Sequence, residues 1–418
     1  MLQVLRQRDF HFLFVDGLVS GLGDLFLFIA LPFYVYTLTG SALATGGTFV
    51  AESLPSILFG SVAGVYVDRW DRQRTMITAD ALRAVLLLGL LAVRSSDTVW
   101  IVFAVSFVQS TIGQFYGPSK DALIPQFVGE TDLLAANSLS SMSGQLTMLI
   151  GPVLGGASLA LFGMSAGIFV DSASFLFSAI MAGSVVSPAR ESRAGESGGP
   201  TSAWETVWRD YCEGFALMWR NRVVMALLLA MGIAQIGMGL ILVQLIPWVK
   251  GVLHGNALVL GWVVSALGVG AVVGGLALGS QGRSLPPTKA LAFGLIVTGL
   301  VLVIVVHSVL LTVVLPLWAL IGVAVVVVEV RLQTLLQVSV TDAYRGRVLG
   351  AYTATQSALL LVGMAVSGAL GGIAGPGPTL ELAGILYAGG GVATAFVMPR
   401  ALPKTDAAPA VMERGPDI

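Results

Sequence analysis

The sequence predicts an all-α membrane protein with twelve transmembrane helices in two pseudo-symmetric six-helix halves. Three observations carry this. The 418-residue chain is 56% hydrophobic and 11% charged, with a mean hydropathy of +0.88, whereas a soluble globular protein carries about 25% charged residues. The charge is gathered into clusters between apolar runs of about 20 residues, the length that crosses a hydrocarbon core. Six such runs, a long polar linker and six more runs then divide the chain in two.

Taken in order, the spans run roughly over 12–37, 42–66, 75–94, 98–118, 134–160 and 163–186 in the first half. The second half has roughly 223–248, 257–280, 288–307, 310–330, 348–373 and 379–398. The domain reading is therefore 1–186 for the amino-terminal half, 187–222 for a cytoplasmic linker, 223–398 for the carboxy-terminal half and 399–418 for a disordered tail. Most connections are short, as between antiparallel neighbours. The linker opens as Ser187-Pro-Ala-Arg-Glu-Ser-Arg-Ala-Gly-Glu-Ser-Gly-Gly-Pro200. It then places Trp204, Val207, Trp208, Tyr211, Phe215 and Met218 at helical spacing among Arg209, Asp210 and Glu213. That pattern predicts an amphipathic helix in the membrane interface.

Orientation follows from lysine and arginine, which stay on the cytoplasmic side. With a cytoplasmic amino terminus, Arg94 and Lys250 alone of the 22 fall outside, Arg83 falls within the third span, and the rest fall inside. Both termini are expected in the cytoplasm of a multi-pass plasma-membrane protein. The run after Arg6, Arg8 and Asp9 lacks a short apolar core followed by an A-x-A site, so it reads as a retained first helix.

Composition also removes function classes. A net charge of −1 argues against a nucleic-acid partner. The single cysteine, Cys212, rules out an internal disulfide framework. His11, His254 and His307 lie far apart and no HExxH occurs, so neither a metal nor another cofactor is expected. No nucleophile–base spacing points to an enzyme.

The most informative loop is Gly60-Ser-Val-Ala-Gly64-Val-Tyr-Val-Asp68-Arg69-Trp70-Asp71-Arg72-Gln73-Arg74. A glycine-spaced apolar helix ends there in a short, highly charged turn, and the next helix begins at once. Gly60-x3-Gly64 has a counterpart in Gly270-x3-Gly274 of the eighth span, and Leu149–Gly156 one in Ala365–Gly372. Small residues four apart let membrane helices approach closely, and two repeated halves around a central site are a transporter arrangement.

Gly64-x3-Asp68-Arg69-x-Asp71-Arg72-Gln73-Arg74 resembles the loop signature of the major facilitator superfamily, with Asp71 where the general pattern has glycine. With Asp80 and Arg83 following, it is similar to the exporter branch containing macrolide-efflux proteins and the enterobactin exporter. Leu22-Gly-Asp24, Ala30-Leu-Pro32, Thr39–Leu43, Pro118–Pro125 after the fourth helix and Arg345-Gly-Arg347 extend the resemblance over nearly the whole chain. Gly144 with Gly151-Pro152-x2-Gly155-Gly156 is similar to the antiporter motif of exporting members. In its own right it is a glycine-rich packing face with a proline kink. The resemblance implies a proton-coupled drug exporter, acting as a monomer in the bilayer on a small amphiphilic substrate. The alternatives are a dedicated exporter of one natural product, such as a siderophore or macrolide, and a non-transporting sensor or assembly partner.

Ionisable groups at mid-membrane cost about 2.5–3.5 kcal/mol on insertion scales and are functional candidates by default. Asp24 lies roughly 18 Å into the first helix and Glu52 roughly 15 Å into the second from the opposite side. Two carboxylates at one depth, partly shielded from water, suit proton coupling. Gln109 and Gln235 reach similar depth. The resemblance places the first, fourth, seventh and tenth helices around the cavity, which makes Phe28, Gln109, Met231, Gln235 and, more weakly, Gln244 and Gln356 substrate-cavity candidates. Asp171, Glu381, Glu329 and Arg331 read as interface or gate residues.

Gating falls to Gly64, Asp68, Arg69 and Arg72, with Gly151, Pro152 and Gly155. By resemblance, Asp68 approaches the amino-terminal end of the eleventh helix, where the helix dipole favours a carboxylate, and Arg69 and Arg72 pair with acidic groups on the inner rim. The stretch after Gly274 has no matching aspartate, so the latch is expected from the first half alone. Asp68→Asn is expected to impair transport while leaving membrane insertion intact. Transport equal to wild type in vesicles with matched protein content overturns the gate role.

Overall fold

In a membrane every backbone amide must be satisfied within the protein, so apolar runs of this length fold as helices. The computed structural model describes residues 4–67, 70–129, 132–185, 200–281 and 286–401. Asp68, Arg69, the linker segment 187–199 and the tail from 402 lie outside the described residues. The α-helices are α1 (Arg8–Thr39), α2 (Ala42–Val67), α3 (Arg72–Leu88), α4 (Trp100–Phe127), α5 (Leu133–Gly183) and α6 (Pro200–Arg220). They continue with α7 (Arg222–Gly251), α8 (Ala257–Gln281), α9 (Pro287–Val306), α10 (Leu311–Ser339), α11 (Asp342–Ala374) and α12 (Pro376–Ala401).

Among the described residues, eleven stretches are long and apolar enough to cross a membrane, and one counts twice. α5 has 51 residues, about 77 Å at 1.5 Å per residue, more than twice a core of about 30 Å. Gly163 breaks it with φ 77° and ψ 174°, a conformation open to glycine and not to a residue with a Cβ. The two arms are the fifth and sixth spans, giving twelve among the described residues.

Helix ends follow local chemistry. α1 stops at Gly40, whose φ of 63° turns the chain left-handed while its N–H caps Tyr36 O. Asp71 is the N-cap of α3 and accepts from the Arg74 N–H at 2.7 Å. The residue that departs from the family pattern therefore starts the third helix. Gln73 Nε2 then donates to the carbonyls of Ala182 and Val185 at 2.9 and 2.6 Å, fixing the start of α3 to the end of α5. One expectation needs correction. Pro118–Pro125 does not follow the fourth helix, because α4 continues through both prolines to Phe127. Lys120 is thus a helical residue, and its Nζ fills the space beside Gly17 of α1.

The chain forms two compact units. The first comprises residues 1–204, 242–268 and 364–376, the second 205–241, 269–363 and 377–418. In the first, Leu27, Leu31, Val35, Leu87, Val102 and Ile168 make an apolar core between α1, α3, α4 and α5. Close approach depends on missing side chains. A Cβ on Gly156 would stand 2.2 Å from Ala257 O, one on Gly261 2.6 Å from Pro152 O, and one on Gly155 3.2 Å from the Phe26 backbone. Ser265 Oγ donates to Leu149 O at 2.9 Å in the same seam. Lys250 Nζ at the end of α7 donates to Thr37 Oγ1 at 2.9 Å and lies over the rings of Phe33 and Tyr36.

In the second unit Gly270 and Gly274 meet the backbone of α10 at Ala319 and Val323, and Gly299 meets Gly384 of α12. His307 Nε2 stands 3.3 Å from Glu381 Oε1. α6 packs one face on α11. Met218 is buried, Glu213 pairs with Arg347 at 3.0 Å, and Tyr211 bonds Thr355 at 3.2 Å. Trp208, Tyr211, Phe215 and Trp219 form a ladder of rings 5.8 to 6.4 Å apart. Trp208 and Trp219 are exposed, which suits a headgroup layer.

Gly156→Leu is expected to cost about 1–3 kcal/mol by overpacking and to lower the melting temperature of detergent-solubilised protein. Gly144→Ala, where an added Cβ meets nothing within 4 Å, is expected to melt at or above wild type.

Candidate functional site: a polar cavity within α1 to α4

Halfway along α1, the residues Asp24, Leu27, Phe28 and Leu31 recur at helical spacing and share one face. Together with Glu52 of α2, Arg83 and Leu87 of α3 and Val105, Ser106, Gln109, Ser110 and Gln114 of α4, they line a cavity of about 290 Å³ in the first unit. Seven of these twelve residues are polar or charged and five are apolar, so the wall offers hydrogen-bonding groups beside apolar area. Phe28 meets Phe49 edge-on with centroids 5.4 Å apart.

Two kinds of polar group meet there. The first is tightly paired. The Arg83 side chain is 5% exposed, while its partner Asp24 is 47% exposed and opens on the cavity. One guanidinium nitrogen donates to Asp24 Oδ1, and the other lies 3.6 Å from Asp80 Oδ1. The guanidinium carbon sits 4.0 Å from the Phe175 centroid of α5, a cation–π contact. The second kind is unpaired. Glu52 Oε2, Ser106 Oγ and both amide atoms of Gln109 are buried without a hydrogen-bond partner. A buried unpartnered group costs about 1–3 kcal/mol, and these atoms are free to take a hydrogen bond from water or a ligand.

Beneath the cavity, toward the start of α1, a second polar group is buried. Asp16 and Asp80 are fully buried. Tyr116 Oη of α4 donates to Asp16 Oδ2 at 2.5 Å, and Ser178 Oγ of α5 contacts both Asp16 Oδ1 and, at 2.7 Å, Asp80 Oδ2.

Of the residues singled out from sequence, Asp24, Phe28, Glu52 and Gln109 share the cavity. Met231, Gln235 and Gln356 belong to the second unit. There Met231 packs on a core with Leu227 and Leu228, Gln235 is half-buried, and Gln356 Nε2 donates to Leu228 O at 3.2 Å. Gln244 Nε2 donates to Ser367 O at 2.7 Å, in a niche left by Gly371. Asp171 is buried against Gly23, with Ser174 donating to it. Of the gating residues, Asp68 and Arg69 lie outside the described residues. Gly64 is half-buried in open space, and Arg72 donates to Ala122 O at 2.9 Å. Gly151 and Pro152 are buried, and Gly155 abuts Phe26.

The sequence did not single out Asp16, Ser106, Tyr116 or Ser178, and Asp80 and Arg83 entered only through the resemblance and, for Arg83, as an exception to the charge bias. The available signal was Asp80-x-x-Arg83, an acid and a base one turn apart inside an apolar span. Removing one partner of a buried pair costs about 3–5 kcal/mol, and the half-exposure of Asp24 places Arg83→Gln at the lower end. Arg83→Gln with Asp24→Asn is expected to recover part of that loss in a detergent thermal melt. A double variant no more stable than the additive sum shows that the pair is uncoupled.

Comparison with known proteins agrees with this architecture. Multidrug efflux pump Tap of Mycolicibacterium fortuitum is 25% identical over 369 residues, covering 83% of this chain and 86% of that protein. Macrolide efflux protein A of Streptococcus pyogenes is 28% identical over 222 residues, 53% of each. Among solved structures, a bacterial homologue of the iron transporter ferroportin in the inward-facing state superposes with a TM-score of 0.74 at 13% identity, over 93% of this chain and 98% of that one. That likeness shows the fold alone. The family model described as Major Facilitator Superfamily matches residues 13–359, and the chain belongs to this superfamily of membrane transporters.

Proposed function

We propose that this transporter exports amphiphilic, drug-like compounds from the cytoplasm by proton antiport and alternating access. The reading rests above all on the cavity wall. Asp24 and Glu52 offer carboxylates to a cationic group, Gln109 and Ser106 offer unmet hydrogen bonds, and Leu27, Phe28, Leu31 and Val105 offer apolar area. An amphiphile with a basic nitrogen satisfies all three at once. The similarity to Tap and to Macrolide efflux protein A supports export, as does the glycine–proline motif of the fifth span. The strong lysine and arginine bias supports cytoplasmic termini. The similarity to Macrolide efflux protein A also favours a second reading, a dedicated exporter of one bulky natural product.

In liposomes holding a pH-sensitive dye, a lipophilic cation or a macrolide is expected to trigger proton movement in wild type and none in Asp24→Asn. Substrate flux that ignores an imposed proton gradient overturns antiport. Flux confined to one compound among cations, macrolides and siderophores favours the dedicated exporter.

A further inference from the structure

Two basic residues, Arg94 and Lys250, stand at the end of the spans opposite the amino terminus, against the charge bias of the chain. The protein itself accounts for Lys250, whose ammonium is bonded to Thr37 and covered by the rings of Phe33 and Tyr36. Arg94 is different. It is exposed, and its guanidinium makes no hydrogen bond or ion pair among the described residues. Its backbone is nevertheless fixed on both sides. Tyr34 Oη of α1 donates to the carbonyl of buried Val93 at 3.0 Å, and the Arg94 N–H donates to Thr98 Oγ1 at 3.2 Å. A free cation is therefore held in place at the turn from α3 to α4.

What it faces is a second cavity of the first unit, about 310 Å³ in volume. Tyr34 and Leu91 line one part of it. Met164, Ser165 and Phe169 of α5, just past the break at Gly163, line another. Arg94 is the one charged residue in the lining, and Asp97, three positions on, is not part of it. The cavity thus carries a positive charge that no carboxylate in its wall offsets. Its floor is apolar, since Leu90 and Val93 share one core with Met164 and Ile168. Leu161 and Phe162 before the break, and Phe169 after it, are exposed large apolar side chains, a surface that meets lipid in a membrane protein. Arg94 follows the end of one span and precedes the start of the next, which sets it at the level of the headgroups.

We propose that this cavity binds an anionic phospholipid, with the phosphodiester on Arg94 and Ser165 and an acyl chain along Phe169. A guanidinium presents paired N–H groups that match two phosphate oxygens at once, and the exposed Ser165 adds a hydroxyl donor from another helix. Charge selects the headgroup. A zwitterionic lipid brings the same phosphate but also an ammonium, for which the lining has no carboxylate. A headgroup with a net negative charge, such as phosphatidylglycerol, leaves nothing unpaired. The bound lipid ties the α3–α4 connection to the turn between the fifth and sixth spans, across the apolar contact that already joins them. The site is independent of the export reading, and the orientation of the chain decides only which leaflet supplies the lipid.

The test uses the full chain in detergent, read by native mass spectrometry and by thermal melts. Wild type is expected to retain phosphatidylglycerol in preference to phosphatidylcholine, and to melt higher with the former. Arg94→Gln, at an exposed position, is expected to melt like wild type without lipid and to hold phosphatidylglycerol about fivefold more weakly. Ser165→Phe keeps the charge but fills the cavity, and is expected to lose the same adduct. Its melt without lipid shows that it is folded. Equal retention of the two lipids by wild type overturns the proposal, as does phosphatidylglycerol binding unchanged in both variants. Loss in Arg94→Gln alone reduces the effect to surface charge and overturns the cavity. Loss in Ser165→Phe alone removes Arg94 as the phosphate ligand and overturns the assignment. Inorganic phosphate that reproduces the rise in melting temperature reveals an anion site and overturns the lipid.

Discussion

A guanidinium does not lose its proton inside a protein, so an arginine halfway along an apolar helix must be supplied with anions. Arg83 imposes this condition on the first unit. Its anions come from α1 and from its own helix α3, and its flat face is covered by Phe175 of α5. Three helices are thereby fixed in rotation and depth, because a turn of any one removes a partner. Such pairs contribute little net stability against an apolar alternative, so the gain lies in uniqueness of register. α4 is drawn into the same arrangement through Tyr116 and Asp16.

Apolar packing could not set that register on its own. Lipid tails are as apolar as leucine, so helices in a bilayer associate through close fit and hydrogen bonds. The seam of α5 with α8 shows both. Gly156 and Gly261 bring backbone against backbone, and Ser265 spends its one hydroxyl proton on a main-chain carbonyl of the other helix. Packing sets how near the helices come, and the buried polar groups set which faces meet.

This division explains what could be read from the sequence. Spans are local: length and hydropathy give them, glycine punctuates them, and an aspartate before Arg72 caps one. The cavity carboxylates could also be placed, because depth along a helix is a matter of counting. The partners could not. Asp24 lies 59 positions from Arg83, Asp16 162 from Ser178 and Asp80 98 from Ser178, and no periodicity links them. Ser178 is one of many serines in apolar helices, where the default is a bond to the preceding turn. Proline was misleading in the other direction. Pro118 and Pro125 mark a helix end by local rules, yet α4 runs through both, with Ser119 buried and Lys120 reaching Gly17.

The two polar groups of the first unit differ in the way their tasks differ. In the cavity wall, Glu52, Ser106 and Gln109 keep bonding capacity unused, so whatever enters can be met without first breaking a protein contact. Below it, Asp16, Tyr116 and Ser178 keep their bonding within the cluster. Arg83 touches both: Asp24 on the exposed side, Asp80 on the buried side. A single side chain thus joins the two groups, with a close contact on one side and a longer one on the other. Any ligand that prefers one of its partners biases the other, and this is the physical requirement for coupling two sites.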